Sequence, residues 1–210
     1  MEQAKELKGA SRVRTRSVAF VGLSIALMAV SAWVSVPFGP VPFTLQTFVM
    51  VFALLVLTPG ECLAAIGGYL VIGAVGLPVF SSMRGGIGVL AGPTGGFLWG
   101  FLLGAVVALA FLRLADMRLR RGAANEGETG DGVARGGRVK RRALAVDVVA
   151  GFLFLLVMYV CGWIQLMGVA GLGPEAAFAT AVAPFLVVDG VKLVAGVLTA
   201  RAVRKALPRR

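Results

Sequence analysis

The chain is expected to fold as an all-α, polytopic membrane protein, with six transmembrane helices and both termini in the cytoplasm. Three observations predict this. Of the 210 residues, 58% are hydrophobic and only 15% charged, and the mean hydropathy is +0.89, well outside the range of a soluble domain. Apolar runs recur at lengths suited to a hydrocarbon layer of roughly 30 Å, which a helix of about 20 residues crosses. The basic residues, finally, fall in blocks that alternate with those runs.

Residues 1–16 form a polar, basic tail, and the apolar run behind them is too long for the core of a cleaved signal peptide. The membrane domain is expected over 17–201. Its first helix runs from Ser17 to Val36 and carries Ala19, Gly22, Ala26 and Ala29 at i, i+3, i+7 and i+10. Such a small-residue stripe favours close helix contact, either with a helix of this chain or with a separate membrane protein. The second run, Leu45 to Leu57, is short for a span. The PFGPVPFTLQ stretch that leads into it is too rich in Pro and Gly to extend it regularly. Irregular backbone at membrane depth is tolerated only against protein or a water-filled cavity, so this stretch is either a cavity wall or a plain external loop.

The third helix is expected from Cys62 to Phe80. After it comes SSMRGGIGVLAGPTGGF, residues 81–97, with six glycines. Its GIGVLA portion matches a dinucleotide fingerprint by accident, because no strand precedes it and no βαβ unit surrounds it. Glycines there permit positive φ and exposed backbone N–H groups, which makes Gly86 and Gly88 candidate ligand contacts. The fourth helix covers Gly95 to Leu114. Residues 116–142 contain GAANEGETGDGVARGGR, too polar and Gly-rich to bury a core, and are expected to be a flexible basic cytoplasmic linker. The fifth and sixth helices run from Ala143 to Gly171 and from Ala176 to Ala200, ahead of a tail at 202–210.

The net charge of +11 needs no nucleic-acid partner. Five basic residues precede the first helix, nine lie between the fourth and fifth, and five follow the sixth, leaving Arg84 and Lys192. That pattern is the positive-inside signature of a protein whose ends both face the cytoplasm, and the blocks would lean on anionic membrane lipid. With no His and two Cys, Cys62 and Cys161, both in apolar runs, no metal or cofactor set is expected. No phosphate-binding G-x-x-x-x-G-K-[ST] is present either, so any ATP energy must come from a partner.

The candidate chemistry lies in PFLVVDGVKLVAG, residues 184–196. Asp189 and Lys192 are three residues apart on one helix face, and Asp189 is expected near mid-span. A charge there costs at least roughly 2.5–3.5 kcal/mol and normally faces a bundle interior or a cavity. The two charges form either a packing ion pair or a site that takes a carboxylate on Lys192 and N–H donors on Asp189. Asp189 holding Lys192 in place is a third possibility. Thr44, Gln46, Tyr69, Tyr159 and Gln165 are the polar groups at membrane depth available to join it.

GPVPFTLQTF, GLPVF, GGIGVLAGPTGGF, YVCGW and PFLVVDGVK stand in the order and spacing of the BioY family, and in these residues the chain resembles the biotin-binding S components of energy-coupling factor (ECF) transporters. The resemblance runs from the first helix to the sixth. It implies biotin capture and uptake across the cytoplasmic membrane, without chemistry on the substrate. It also implies a transmembrane coupling protein and two ATPase subunits as partners. The ligand-binding residues would be Thr44, Gln46, Gly86, Gly88, Tyr159, Asp189 and Lys192, and the docking face Ala19, Gly22, Ala26 and Ala29. Two departures stand out: Gly22 and Ala26 replace the usual alanine pattern of the first helix, and Phe97 stands where a tyrosine is common. The rival readings are a solitary or proton-coupled carrier using Asp189, and a membrane enzyme using the Asp189/Lys192 pair. Against the enzyme stand the absence of His and of any nucleophile paired with a base.

Overall fold

A computed structural model describes residues 2–37, 39–125 and 132–206, with side chains described for 14–37, 39–119, 121 and 143–206. Eight α-helices are present among the described residues: α1 (Glu2–Trp33), α2 (Gln46–Val56), α3 (Pro59–Val75), α4 (Ile87–Ala91), α5 (Gly95–Asn125), α6 (Gly132–Ala170), α7 (Pro174–Ala181) and α8 (Leu186–Ala206). A small hairpin, β1 (Ser35–Val36) and β2 (Phe43–Thr44), pairs Ser35 with Thr44 and Val36 with Phe43 between α1 and α2. Three helical stretches are long and apolar enough to cross a membrane: Arg14–Trp33, Gly95–Leu119 and Ala143–Ala170. The pair α7 and α8 makes a fourth if its 48° bend is taken as one broken span. At 11 and 17 residues, α2 and α3 rise about 16 and 26 Å, less than the roughly 30 Å of a hydrocarbon layer.

Local sequence explains where these elements start and stop. Thr58 caps α3 in a reciprocal box: its hydroxyl accepts from the Glu61 N–H while the Glu61 carboxylate accepts from the Thr58 N–H at 3.0 Å. Pro59 occupies the first turn, where a missing N–H costs nothing. Gly76 ends the helix at φ +116, a conformation that a Cβ would oppose. Glu61 also accepts a 2.7 Å bond from the Ser17 hydroxyl, tying α1 to the start of α3.

The expected sixth helix, Ala176 to Ala200, is broken. It divides at Val182–Phe185 into α7 and α8. Pro184 lacks an N–H and disfavours α geometry at Ala183. Asp189 therefore lies in the first turn of α8, with its N–H on the Phe185 carbonyl at 2.8 Å, and not in the middle of a continuous span. The expected linker at 116–142 is helical over 116–125 and 132–142. Its Ala, Leu, Met and Arg residues are good helix formers that prolong α5 from the membrane side. Residues 126–131 lie outside the described set.

The tightest packing joins α5 to α6 through Gly96, Gly100 and Gly104, one per turn on a single α5 face. A Cβ at Gly100 would stand 2.7 Å from the Met158 Cα, and one at Gly104 would stand 2.8 Å from the Phe154 carbonyl oxygen. At Gly96 it would overlap the Cys161 carbonyl. Without side chains at these turns the two backbones come together as small-residue membrane interfaces do. Gly100→Val is accordingly expected to lower the unfolding free energy in detergent by about 1–3 kcal/mol. Gly168→Ala, whose added carbon meets nothing within 4 Å, is expected to leave the unfolding midpoint unchanged or raise it slightly.

Candidate functional site

Three helices meet around one carboxylate. Asp189 on α8, 4% exposed, accepts the Thr47 hydroxyl of α2 at 2.9 Å and the Lys192 ammonium at 2.8 Å on Oδ1. Its Oδ2 accepts the Tyr159 hydroxyl of α6 at 2.5 Å. Lys192 also donates to the Thr44 carbonyl at 2.6 Å, so the cation bridges α8 to the end of the β-hairpin. A second polar chain runs alongside. The Gln46 amide donates to the Tyr69 hydroxyl at 2.8 Å, that hydroxyl donates to the Val79 carbonyl at 2.9 Å, and the Thr44 hydroxyl donates to the Gln46 oxygen at 3.2 Å.

These groups face a cavity. Thr44, Gln46, Thr47, Tyr159, Asp189 and Lys192 give it a polar side, and Phe97, Phe101, Met158 and Phe185 give it an apolar one. Its volume is about 60 Å³ for water-sized occupants and about 560 Å³ with the open mouth counted. The first figure is room for a few waters between these walls. Two ring contacts shape them: Phe97 meets Tyr159 edge-on, with centroids 6.4 Å apart, and Phe43 of the hairpin lies 4.2 Å from Phe185 of the α7–α8 turn. Phe97 fits because Gly162 opposite carries no side chain, its Cβ position being filled by the Phe97 ring.

Of the residues expected from sequence, Thr44, Gln46, Tyr159, Asp189 and Lys192 come together at the cavity. Gly86 and Gly88 do not line it. The Gly86 N–H is taken by the Gly73 carbonyl at 2.7 Å, at φ +94, and Gly88 is exposed on α4. The glycine-rich segment instead folds back on the end of α3, where a Cβ at Gly85 would overlap the Leu77 carbonyl. Gln165 of α6 clamps it by donating to the Leu90 and Gly92 carbonyls, each at 2.8 Å. Tyr69 and Gln165 thus support the site from behind. On α1, Ala19, Gly22 and Ala26 are exposed, whereas Ala29 is buried in the core. Ala29 lies only about 20° around the axis from exposed Gly22, so what buries it is its level along α1, where Met28 and Ala32 are buried as well; the outward stripe is three residues long.

Thr47, Ser81 and Thr94, none of them expected from sequence, also line the cavity; no spacing rule singles out a lone hydroxyl such as Thr47 in an apolar helix. The ion pair makes a thermodynamic demand. Removing one member of a buried pair leaves an uncompensated charge, which costs about 3–5 kcal/mol, while exchanging both for apolar groups is far cheaper. Asp189→Leu is expected to destabilise the protein by that amount, and Asp189→Leu/Lys192→Met to recover most of it. A double-mutant cycle of unfolding in detergent checks this, and simple additivity of the two losses would contradict it.

The family model for the BioY family matches residues 3–209. Among curated proteins, the chain is 34% identical over 188 residues to the probable biotin transporter BioY of Pyrococcus horikoshii, covering 90% of this chain and 96% of that one. It is 36% identical over 205 residues to the biotin transporter BioY of Rhodobacter capsulatus, covering 92% and 95%. The match to the biotin transporter BioY of Thermotoga maritima is 49% identical over 92 residues, 44% of this chain and 54% of that protein. Among solved structures, the crystal structure of the S-component for biotin from an ECF-type ABC transporter superposes with a TM-score of 0.74 at 19% identity, covering 92% of this chain and 93% of that one. With a family model matched almost end to end, this chain belongs to the BioY family.

Proposed function

We propose that this protein captures biotin in the cavity beside Asp189 and Lys192 and serves as the substrate-binding subunit of an ECF-type transporter. The family membership and the names of the full-length relatives support biotin as the substrate. The observation that carries the reading is a buried, neutral ion pair with hydrogen-bonding capacity left over, on the wall of a cavity. A carboxylate offers about four lone-pair sites and an ammonium three N–H donors. Thr47, Tyr159 and Lys192 use three of the former, and Asp189 and Thr44 use two of the latter. About one acceptor site and one donor remain, side by side.

A cyclic urea presents an N–H and a C=O side by side and answers both. A carboxylate answers only the donor and meets the Asp189 charge. We therefore place the ureido ring of biotin at the pair and its valerate carboxylate away from it, in preference to a Lys192–carboxylate contact. The thiophane ring then packs on Tyr159 and the apolar wall. Binding needs no cofactor and makes or breaks no covalent bond in this scheme.

The chain is placed in the cytoplasmic membrane with six crossings and its basic ends in the cytoplasm, by the positive-inside rule. Without a phosphate-binding motif of its own, it relies on a coupling protein and two ATPase subunits for energy. The exposed small residues Ala19, Gly22 and Ala26 are the docking face for the coupling protein.

Equilibrium binding of labelled biotin to purified protein, competed by desthiobiotin, lipoate and thiamine, tests the substrate. Stoichiometric, chemically unaltered biotin is expected, with desthiobiotin the strongest competitor because it keeps the urea; failure to retain biotin would sink the proposal. Lys192→Met removes a charged hydrogen bond and is expected to weaken binding about 10- to 100-fold. The biotin-to-biotinamide affinity ratio should stay the same in wild type and variant, whereas a ratio that collapses in the variant would put the carboxylate on Lys192. Ala26→Trp is expected to leave biotin affinity unchanged while abolishing ATP-driven uptake in vesicles that carry the coupling subunits.

A further inference from the structure

The outward face of α8 carries a feature that biotin capture does not use. Val187, Gly190, Val191, Val194, Ala195 and Leu198 line a shallow apolar groove there. Its rim is well exposed, Val187 at 77% and Leu198 at 57%, and its floor is low at Gly190, where a Cβ would meet nothing within 4 Å. From Val187 to Leu198 it rises about 16 Å, comparable to most of one acyl chain. One turn beyond Leu198 the same helical stripe changes character. Arg201 and Lys205 continue it at i+3 and i+7, with Arg204 beside them.

Two of these cations are held in place. Asp147 of α6, itself buried, receives Arg201 Nη1 at 2.7 Å and Arg204 Nη2 at 2.5 Å, both on Oδ2. One carboxylate shared by two guanidiniums leaves a surplus positive charge, and exposed Lys205 adds another. Arg201 and Arg204 keep 25% and 39% of their side chains exposed. Each guanidinium has five N–H donors in a rigid fork suited to phosphate oxygens. Because Asp147 has already ordered the two arginines, a bound phosphate loses less side-chain entropy than it would on free ones. A zwitterionic headgroup brings its own ammonium into the surplus positive field, and an anionic one does not.

We propose that the α8 groove and the Arg201–Arg204–Lys205 cluster form one binding site for a single anionic phospholipid, its acyl chain in the groove and its headgroup phosphate on the cations. The groove lies on α8 alone, the helix that carries Asp189 and Lys192, and the cation cluster ties that helix to α6 through Asp147. The test of the site is independent of biotin.

Native mass spectrometry of the purified full chain, titrated with phosphatidylglycerol or phosphatidylcholine in mixed micelles, is expected to retain one phosphatidylglycerol in preference, with a raised thermal midpoint. Lys205→Gln, which leaves both Asp147 ion pairs intact, and Arg204→Gln are each expected to lower that preference about fivefold. Val194→Trp, which fills the groove, is expected to displace the retained lipid while the cations remain. Equal retention of the two lipids, or retention indifferent to Lys205→Gln and Val194→Trp, would overturn the proposal. An equal midpoint shift from glycerophosphate alone would also overturn it, by showing a phosphate site without an acyl-chain component.

Discussion

The meeting of α2, α6 and α8 is arranged around the burial of one carboxylate. Asp189 is taken out of water in a region where an isolated charge is strongly disfavoured, and it is matched by donors from α2, α6 and α8, three helices that share no local sequence. Satisfying it forces those helices into one register. Thr47 must face α8, Tyr159 must reach across from α6, and Lys192 must curl back toward Asp189 and the Thr44 carbonyl. The hairpin between α1 and α2 is thereby fastened to α8, and the cavity is the space these constraints leave open.

The break between α7 and α8 belongs to the same arrangement. A continuous helix would have placed Asp189 deep within regular structure. The turn at Val182–Phe185 instead brings it to the start of α8 and sets Phe185 against Phe43 at the cavity wall. A helix start offers unpaired N–H groups and a partial positive charge, both of which favour an anionic side chain. Irregular backbone is thus used where it lines a cavity, and the same holds for the Pro-rich stretch ahead of α2, whose Val41 and Pro42 form part of the lining.

Much of this was legible in the sequence because it rests on strong, local signals. Apolar runs located the cores of six helical segments but neither the short α4, nor the division of the last run into α7 and α8, nor the helical extensions into 116–142; a charged pair in an apolar run pointed to Asp189 and Lys192. Thr44, Gln46 and Tyr159 stood out as polar groups among apolar neighbours, and all three line the cavity. What stayed hidden depends on long-range packing. Thr47 acquires its role from a partner 142 positions away. The loop glycines suggested exposed N–H groups, yet the Gly86 N–H is used within the fold, on Gly73. Two signals were present but needed a geometric reading: Pro184 marks the helix break, and Gly96, Gly100 and Gly104 at intervals of four mark the α5–α6 contact. Ala29 shows the limit of a spacing rule: it shares a helix face with Gly22 but sits seven residues further along α1, beside buried Met28 and Ala32, where the rest of the fold covers that face.

The central claim is that the residual donor and acceptor of a neutralised ion pair recognise a urea. Isotope-edited difference infrared spectroscopy, with biotin carrying ¹³C at the ureido carbonyl, reads that contact directly. A downshifted ureido carbonyl band on binding, reduced in Lys192→Met, with the valerate carboxylate bands near their solution positions, is the predicted result. An unshifted ureido band together with displaced carboxylate bands would contradict the account.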